Sequence, residues 1–253
     1  MSGSVEEALP AVLAVLSAPI LASFFATLAD RWPRGERIAA GRSLCRSCGQ
    51  SLHAIDLVPL VSYLALRGRC RHCGAPFPRW LFAFELAALL LGVQAAVAFD
   101  GSWLAVAATL LGVSLLAIAV IDLRHYFIPD IVSLPLLMAG LAVAAAAPGY
   151  DLPAHALGAA LGFLLLMAVR LIYRGLRGRE GLGQGDAKLL AAGGAWVGWQ
   201  GLPFVLLIAS LSGLLVVLLL RLRGRVLAAG DALPFGPFLA IGLWLVWLYL
   251  PPA

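Results

Sequence analysis

The sequence predicts an all-α protein that crosses a membrane about eight times and carries one small cysteine-bearing loop domain. Three observations predict it. Of 253 residues, 62% are hydrophobic and only 12% are charged, about half the charge of an ordinary soluble domain. The apolar residues gather in runs of bilayer-spanning length. The basic residues are confined to segments that alternate crossings would leave on one side.

A span needs roughly 17–25 apolar residues. Runs at about 8–29, 80–99, 103–121, 131–148, 154–173, 187–201, 202–220 and 233–250 qualify as candidates. The sixth is short and runs into Pro203. Asp100-Gly101, Pro148-Gly149 and Gly201 mark tight turns between neighbouring spans. The first run follows Glu6 and Glu7, with no basic n-region and no clear cleavage site, and reads as a retained span rather than a signal peptide. No internal repeat or low-complexity tract interrupts the series. The organisation expected is a first transmembrane helix over 1–29, a cytoplasmic loop domain over 30–79, and a seven-helix membrane domain over 80–253.

Orientation follows from charge. Residues 31–79 carry nine Arg, Arg124 follows the third span, Arg170, Arg174, Arg177, Arg179 and Lys188 flank the loop after the fifth, and Arg221, Arg223 and Arg225 follow the seventh, which accounts for all 18 Lys and Arg. With eight spans every one of these lies on one side, and the positive-inside rule makes that side the cytoplasm. Shifting the count by one would scatter them. The net charge of +5 is thus read as membrane orientation, with lipid and not nucleic acid as partner. Trp80, Trp103, Trp196, Trp199, Trp244 and Trp247 lie near span ends, as interfacial anchors or as packing.

All four cysteines fall in the first loop, as C-x2-C-x21-C-x2-C at Cys45, Cys48, Cys70 and Cys73. Two such knuckles place four thiolates tetrahedrally around zinc. Gly49 and Gly74 suit the turn after each knuckle. A reducing cytosol argues against two disulfides; free or redox-active thiols are the alternative. Four cysteines close the site without His72 and leave no position for a catalytic water. The expected metal is therefore structural Zn2+.

The stretch REGLGQGDAK, 179–188, ends in Asp186 just as an apolar run begins. Gly181, Gly183 and Gly185 permit positive φ and close backbone approach. An acid at the mouth of a span is costly and so a functional candidate. Its natural partner is Asp122 in AVIDLRHYFIPD, at the end of another run. Two close carboxylates do not both ionise easily; one then takes a proton from water while the other polarises a peptide carbonyl. Single rim acids also simply face water or cap helices, and Asp130, after Pro129, reads as a cap for the fourth span.

Together, IDLRHYFIPD and EGLGQGDAKLL resemble the type IV prepilin peptidases, within the GxGD-type aspartic membrane proteases. LVPLVSYLALRGRCRHCGAPF is similar to that family's cytoplasmic zinc loop, and RWLFAFEL to the start of its second span. The likeness covers nearly the whole chain. It implies Asp122 and Asp186 as catalytic aspartates, with Gly183 and Gly185 presenting the second and Glu180 and Lys188 beside it. Rim solvation is the alternative for the last two. It implies an enzyme of the bacterial inner membrane that removes the short basic leader of prepilins or pseudopilins at the cytoplasmic face. Many members then methylate the new N-terminus with S-adenosylmethionine.

One stretch departs from the pattern. ASFFATLADRWP, 22–33, stands where the family often has GSFLNVVIYRLP, so Ala22 replaces a usual glycine and Ala26 a usual asparagine. Alanine offers no amide to position a cofactor, which bears on methyl transfer rather than on cleavage. Glu85 in the second span is either a cofactor or substrate contact or a buried structural acid. No soluble-type cofactor loop is present. Other classes considered are a GxGD peptidase for a different membrane precursor without methyltransferase activity, an ion-coupled transporter using the two acids, and a non-enzymatic assembly factor. Transport sites lie near the bilayer midplane, whereas these acids are expected at a rim.

Overall fold

A computed structural model describes residues 3–36, 43–178, 181–224 and 233–250. Among them there are eight α-helices and no strand beyond two isolated bridges. They are α1 (Gly3–Arg31), α2 (Val61–Ala65), α3 (Arg79–Ala98), α4 (Trp103–His125), α5 (Asp130–Ala146), α6 (Leu152–Arg177), α7 (Gln184–Leu222) and α8 (Gly236–Tyr249). Five are long and apolar enough to cross a membrane: α1 from Ala8, α3, α4, α6 and α7; α5 and α8 are shorter apolar helices. The chain divides within α4 into two compact units, Met1–Ala117 and Ile118–Ala253.

In the first unit α1 packs on α3 through small residues. Ala14, Ala18, Ala22 and Ala26 recur every fourth position and are all buried, so they line one face of α1. Gly92 of α3 meets that face so closely that a Cβ there would lie 2.7 Å from the Ala18 methyl and 2.9 Å from the Ala14 carbonyl. Small side chains let apolar helices approach to backbone contact, which is the main source of attraction where lipid removes the hydrophobic drive. Ala22 and Ala26, departures from the family pattern, are thus members of a packing seam.

In the second unit α6 and α7 use glycine the same way. A Cβ on Gly162 would lie 2.5 Å from the Leu190 carbonyl, and one on Gly194 only 2.1 Å from the Gly158 carbonyl. Trp196 fills the space over Gly140, donates its indole N–H to the Leu136 carbonyl at 2.8 Å, and meets Trp247 edge-on at 5.0 Å. Trp196, Trp244 and Trp247 are buried and serve packing, while Trp103 and Trp199 are exposed.

The two spans expected at 187–201 and 202–220 are one helix, α7, 39 residues long. A straight helix of that length would reach about 58 Å, twice the hydrocarbon thickness. It is not straight. Gly198 has φ 68 and ψ 175, and the packing on α8 shows the chain turning back there. Leu243 lies against Gly193 in the first arm, while Val246, Gly242 and Phe238 lie against Gly201, Val205 and Gly213 in the second. Moving up the second arm therefore means moving back down α8. The expected break at Gly201 falls three residues earlier. Pro203 lies inside the second arm, five residues after Gly198.

Candidate active site

Asp122 lies in the last turn of α4, and the chain leaves that helix through Tyr126, whose N–H bonds back to the Asp122 carbonyl at 2.9 Å. Tyr126 has φ 54, a conformation few bulky residues adopt. It turns the chain toward Ile128, Pro129 and the start of α5. Asp186 lies in the first turn of α7. Both acids belong to the second unit, both are buried (5% and 7% exposed), and they are close enough to interact electrostatically.

Each is held by one oxygen. Asp186 Oδ2 accepts the Gly183 N–H at 3.1 Å. Asp122 Oδ2 accepts the Gly236 N–H at 3.0 Å, from the first residue of α8. No other partner is found for either carboxylate among the described residues, so the second oxygen of each is left for a proton or water. Ile128 joins the two halves. Its Cβ would be 2.8 Å from a Cβ on Gly185, and its Cδ1 3.2 Å from a Cβ on Gly236, which would also lie 2.7 Å from Asp122 Oδ2. The acids are thus brought together around one isoleucine, with glycine on both sides because no side chain fits.

The glycines before Asp186 use one of their two expected properties. Among the described residues, positive φ occurs at other glycines and not at 181, 183 or 185. Gly181 instead lies beneath the Tyr173 ring and Gly185 against Ile128; close approach is the requirement. Asp130 is not a helix cap. It is the first residue of α5, makes no capping bond, and pairs with Lys188 Nζ at 2.8 and 2.7 Å. That pair ties the start of α5 to the first turns of α7. Glu180 lies outside the described residues. Gly236 was not singled out from sequence; its signal was Gly-Pro opening an apolar run in ALPFGPFLA.

Glu85 belongs to the first unit, where its Oε2 accepts the Leu60 N–H at 2.7 Å. In the same unit the four cysteine sulfurs lie within 4.8 Å of one another. The two knuckles are built alike. The Cys45 N–H bonds the Gln50 carbonyl and the Cys70 N–H the Ala75 carbonyl, each at 2.8 Å, and Gly49 (φ 71) and Gly74 (φ 70) close the turns. Four thiolates about 2.3 Å from a tetrahedral zinc stand about 3.8 Å apart, and Cys45 and Cys73 are 3.8 Å apart. The donor set and spacing fit that metal. Backbone N–H groups of Cys48 and Ser47 bring Cys45 down to about 6. Cys73 is pushed up to about 11: the Ala75 N–H lowers it, but lost solvation and the neighbouring thiols outweigh that. Asp56 braces the pair of knuckles, accepting Arg71 at 2.8 and 3.0 Å and the His53 N–H at 3.2 Å, and Arg71 holds its carboxyl below the usual range.

Residues 16–99 match the bacterial peptidase A24 N-terminal domain, and residues 109–218, which hold both aspartates, match the type IV leader peptidase family. Across 213 residues the chain is 45% identical to a prepilin leader peptidase/N-methyltransferase of Burkholderia pseudomallei, covering 84% of this chain and 69% of that one. The chain belongs to the type IV leader peptidase family. Relatives of the same description include those of Pseudomonas aeruginosa, 42% identical over 82% of this chain and 71% of the relative, and of Aeromonas hydrophila, 41% over 82% and 71%. No solved structure matches the chain. In this leader peptidase the cysteine cluster and the aspartate pair occupy different units, and its apolar helices fit a multi-pass membrane protein.

Proposed function

We propose that this chain is a membrane aspartic endopeptidase that removes the leader from type IV prepilins or pseudopilins and then methylates the new N-terminus using S-adenosylmethionine. The observation that carries the peptidase is the pair Asp122 and Asp186, buried together, each held by a single backbone N–H. One carboxylate is ionised and its partner protonated, the state into which two close acids fall. The ionised acid removes a proton from water as the water attacks the scissile carbonyl. The protonated acid donates to the carbonyl oxygen. Collapse of the tetrahedral intermediate returns a proton to the leaving amine, which becomes the new N-terminus. Gly236 and Gly183 fix the two acids so that little reorganisation is needed. Gly185 admits Ile128 and Lys188 steadies α5 against α7; Glu180 keeps only the role that the family resemblance implies for it.

Counting the two arms of α7 separately gives eight crossings. All 18 Lys and Arg then fall on the cytoplasmic side of the bacterial inner membrane, as does the ring of residues around the acids. The apolar part of the substrate lies in the lipid and its basic leader in the cytosol. Residues 1–29 form the first crossing, 30–79 the zinc loop and 80–253 the membrane peptidase. The zinc on Cys45, Cys48, Cys70 and Cys73 is structural, since four thiolates leave no open position. Incubating purified protein with a prepilin and following leader loss by mass tests the reading. Asp122→Asn and Asp186→Asn should each abolish cleavage; processing by either at the unmutated rate overturns the assignment.

A further inference from the structure

The cysteine loop carries an apolar surface of its own. Ile55, Leu57, Val58, Val61 and Leu64 are all exposed, Ile55 by 67%, Val61 by 62% and Leu64 by 64%. The short helix α2 has two sides. Ser62 and Tyr63 line a cavity of the first unit, and the Tyr63 ring stacks on Phe82 of α3 at 4.9 Å. Val61 and Leu64, three apart and so on one face, are left uncovered. Single exposed apolar residues are ordinary, but a contiguous group of them marks a contact surface.

The height of this surface is set by α3. That helix has 20 residues, about 30 Å, which equals the hydrocarbon thickness, so its first turns stand at the boundary between lipid and headgroups. One side of it is exposed along its length: Arg79, Ala83, Leu86, Leu90, Val93 and Val97 recur at helical spacing, an arginine at the boundary followed by apolar residues. Glu85 lies about 9 Å beyond Arg79, and its Oε2 accepts the Leu60 N–H at 2.7 Å. Leu60 has φ 60, rare outside glycine, and the chain turns there. The loop backbone is thus carried well past the start of α3, and the uncovered Val58 and Val61 flank its deepest known point.

Charge borders the same surface. The Arg67 N–H bonds the Leu64 carbonyl at 3.1 Å, and Arg69 follows two residues on. Both side chains are exposed without an acidic partner among the described residues, whereas Arg71 is taken by Asp56. An apolar face about 5–10 Å deep, bordered by cations, is what an interfacial segment presents to a leaflet rich in anionic lipid.

We propose that residues 55–64 anchor the cysteine loop in the cytoplasmic leaflet, with Ile55, Val58, Val61 and Leu64 among the acyl chains and Arg67 and Arg69 on anionic headgroups. The occupant of the surface is lipid. The assignment rests on the reading of α3 as a membrane crossing.

The test is the depth of a spin label on the full-length protein in nanodiscs. A keto amino acid placed in turn at Ile55, Val61 and Leu64 carries the label and leaves the four cysteines alone. Oxygen partitions into acyl chains and a water-soluble nickel chelate does not, so the ratio of their collision rates gives the depth. All three labels should lie about 5–10 Å below the phosphates in bilayers containing phosphatidylglycerol, and nearer the surface in phosphatidylcholine alone. Arg67→Gln with Arg69→Gln should remove that difference between lipids. A label at Leu90 should lie deeper still, and one at Gln50, an exposed polar residue of the first knuckle, should meet the nickel freely. Zinc content near one per chain reports that each labelled loop is folded. Labels at 55, 61 and 64 that meet nickel as freely as the one at Gln50 overturn the proposal. So does shielding from both reagents, which would mean that protein and not lipid covers the surface, and so does a depth indifferent to lipid charge. If the Leu90 label itself meets nickel, the crossing of α3 falls and the proposal with it; Leu90 in lipid with the other three in water overturns the anchor alone.

Discussion

Replacing Gly236 by alanine should disable cleavage while leaving the fold in place. The new Cβ would lie 2.7 Å from Asp122 Oδ2 and 3.2 Å from both its Cγ and Ile128 Cδ1. Ordinary contact begins at 3.4 Å, so the carboxylate must retreat by about 0.7 Å. That movement stretches or bends the 3.0 Å bond from the Gly236 N–H. A hydrogen bond to a charged group is worth about 1.5–3 kcal/mol, and a misplacement of about 1 Å at a reacting group can cost about a hundredfold. The expected result is a kcat about 10–100-fold lower, with KM changed by no more than about threefold, since the substrate's apolar segment is bound elsewhere. The assay is leader cleavage over a range of prepilin concentrations in detergent or nanodiscs. The pH–rate profile should move as well, because the displaced carboxylate is one that gains or loses a proton in the reaction; a purely structural lesion would scale the profile without moving it. A Gly236→Ala enzyme with kcat within about twofold of the unmutated protein and an unmoved profile would refute the positioning role.

Four further outcomes are expected. Gly194→Ala would place a methyl 2.1 Å from the Gly158 carbonyl, with backbone on both sides and no flexible side chain to yield; it should lower stability by about 1–3 kcal/mol or more, read as a fall in thermal midpoint. Lys188→Met breaks the bond to Asp130, but the two side chains are 26% and 52% exposed, so the loss should stay within about 1 kcal/mol, measured as a small shift in the same midpoint. Zinc should be retained at neutral pH and lost on acidification: with Cys73 up at about 11 and Cys45 down at about 6, metal binding must displace a proton from Cys73 throughout, and below about pH 6 from Cys45 also, so release followed with a chelating dye should steepen there. Asp56→Asn should raise the pH of that release, because the Arg71 bond depends on an ionised carboxylate whose affinity for protons is lowered in the fold; its support is present at neutral pH and disappears as pH falls through the folded value.

Much of the design was legible before any coordinates. Apolar run length located every long helix, and the spacing of Cys45, Cys48, Cys70 and Cys73 anticipated the cluster. The nearness of Asp122 and Asp186 was an inference from charge topology, and the structure brings the two together. What escaped was whatever depends on a neighbour distant in sequence. Gly236 reads as a helix start, and only the fold shows that its N–H meets an acid 114 residues away. Asp130 has the residue type and place of a helix cap, yet a lysine from α7 takes its carboxylate. Ala22 and Ala26 looked like lost function because the comparison was with polar or flexible residues; their packing role appears once α3 is laid alongside. The turn within α7 was legible as a break, but its position was displaced because Gly198, rather than Gly201, takes the left-handed φ.

The reversal at Gly198 also fixes a depth. The first arm of α7 runs from Gln184 to Val197, before Gly198, and α8 from Gly236 to Tyr249, so each is about 21 Å long, and α5 with 17 residues is about 26 Å. The hydrocarbon layer is about 30 Å thick. Three helices that carry or support the acids are therefore too short for it, while α6, at 26 residues and about 39 Å, is more than long enough. Such mismatch is relieved by thinning the bilayer around the short members. On the eight-crossing reading proposed above, such thinning would bring water closer to the two carboxylates and let a lipid-anchored precursor meet them without first leaving the membrane.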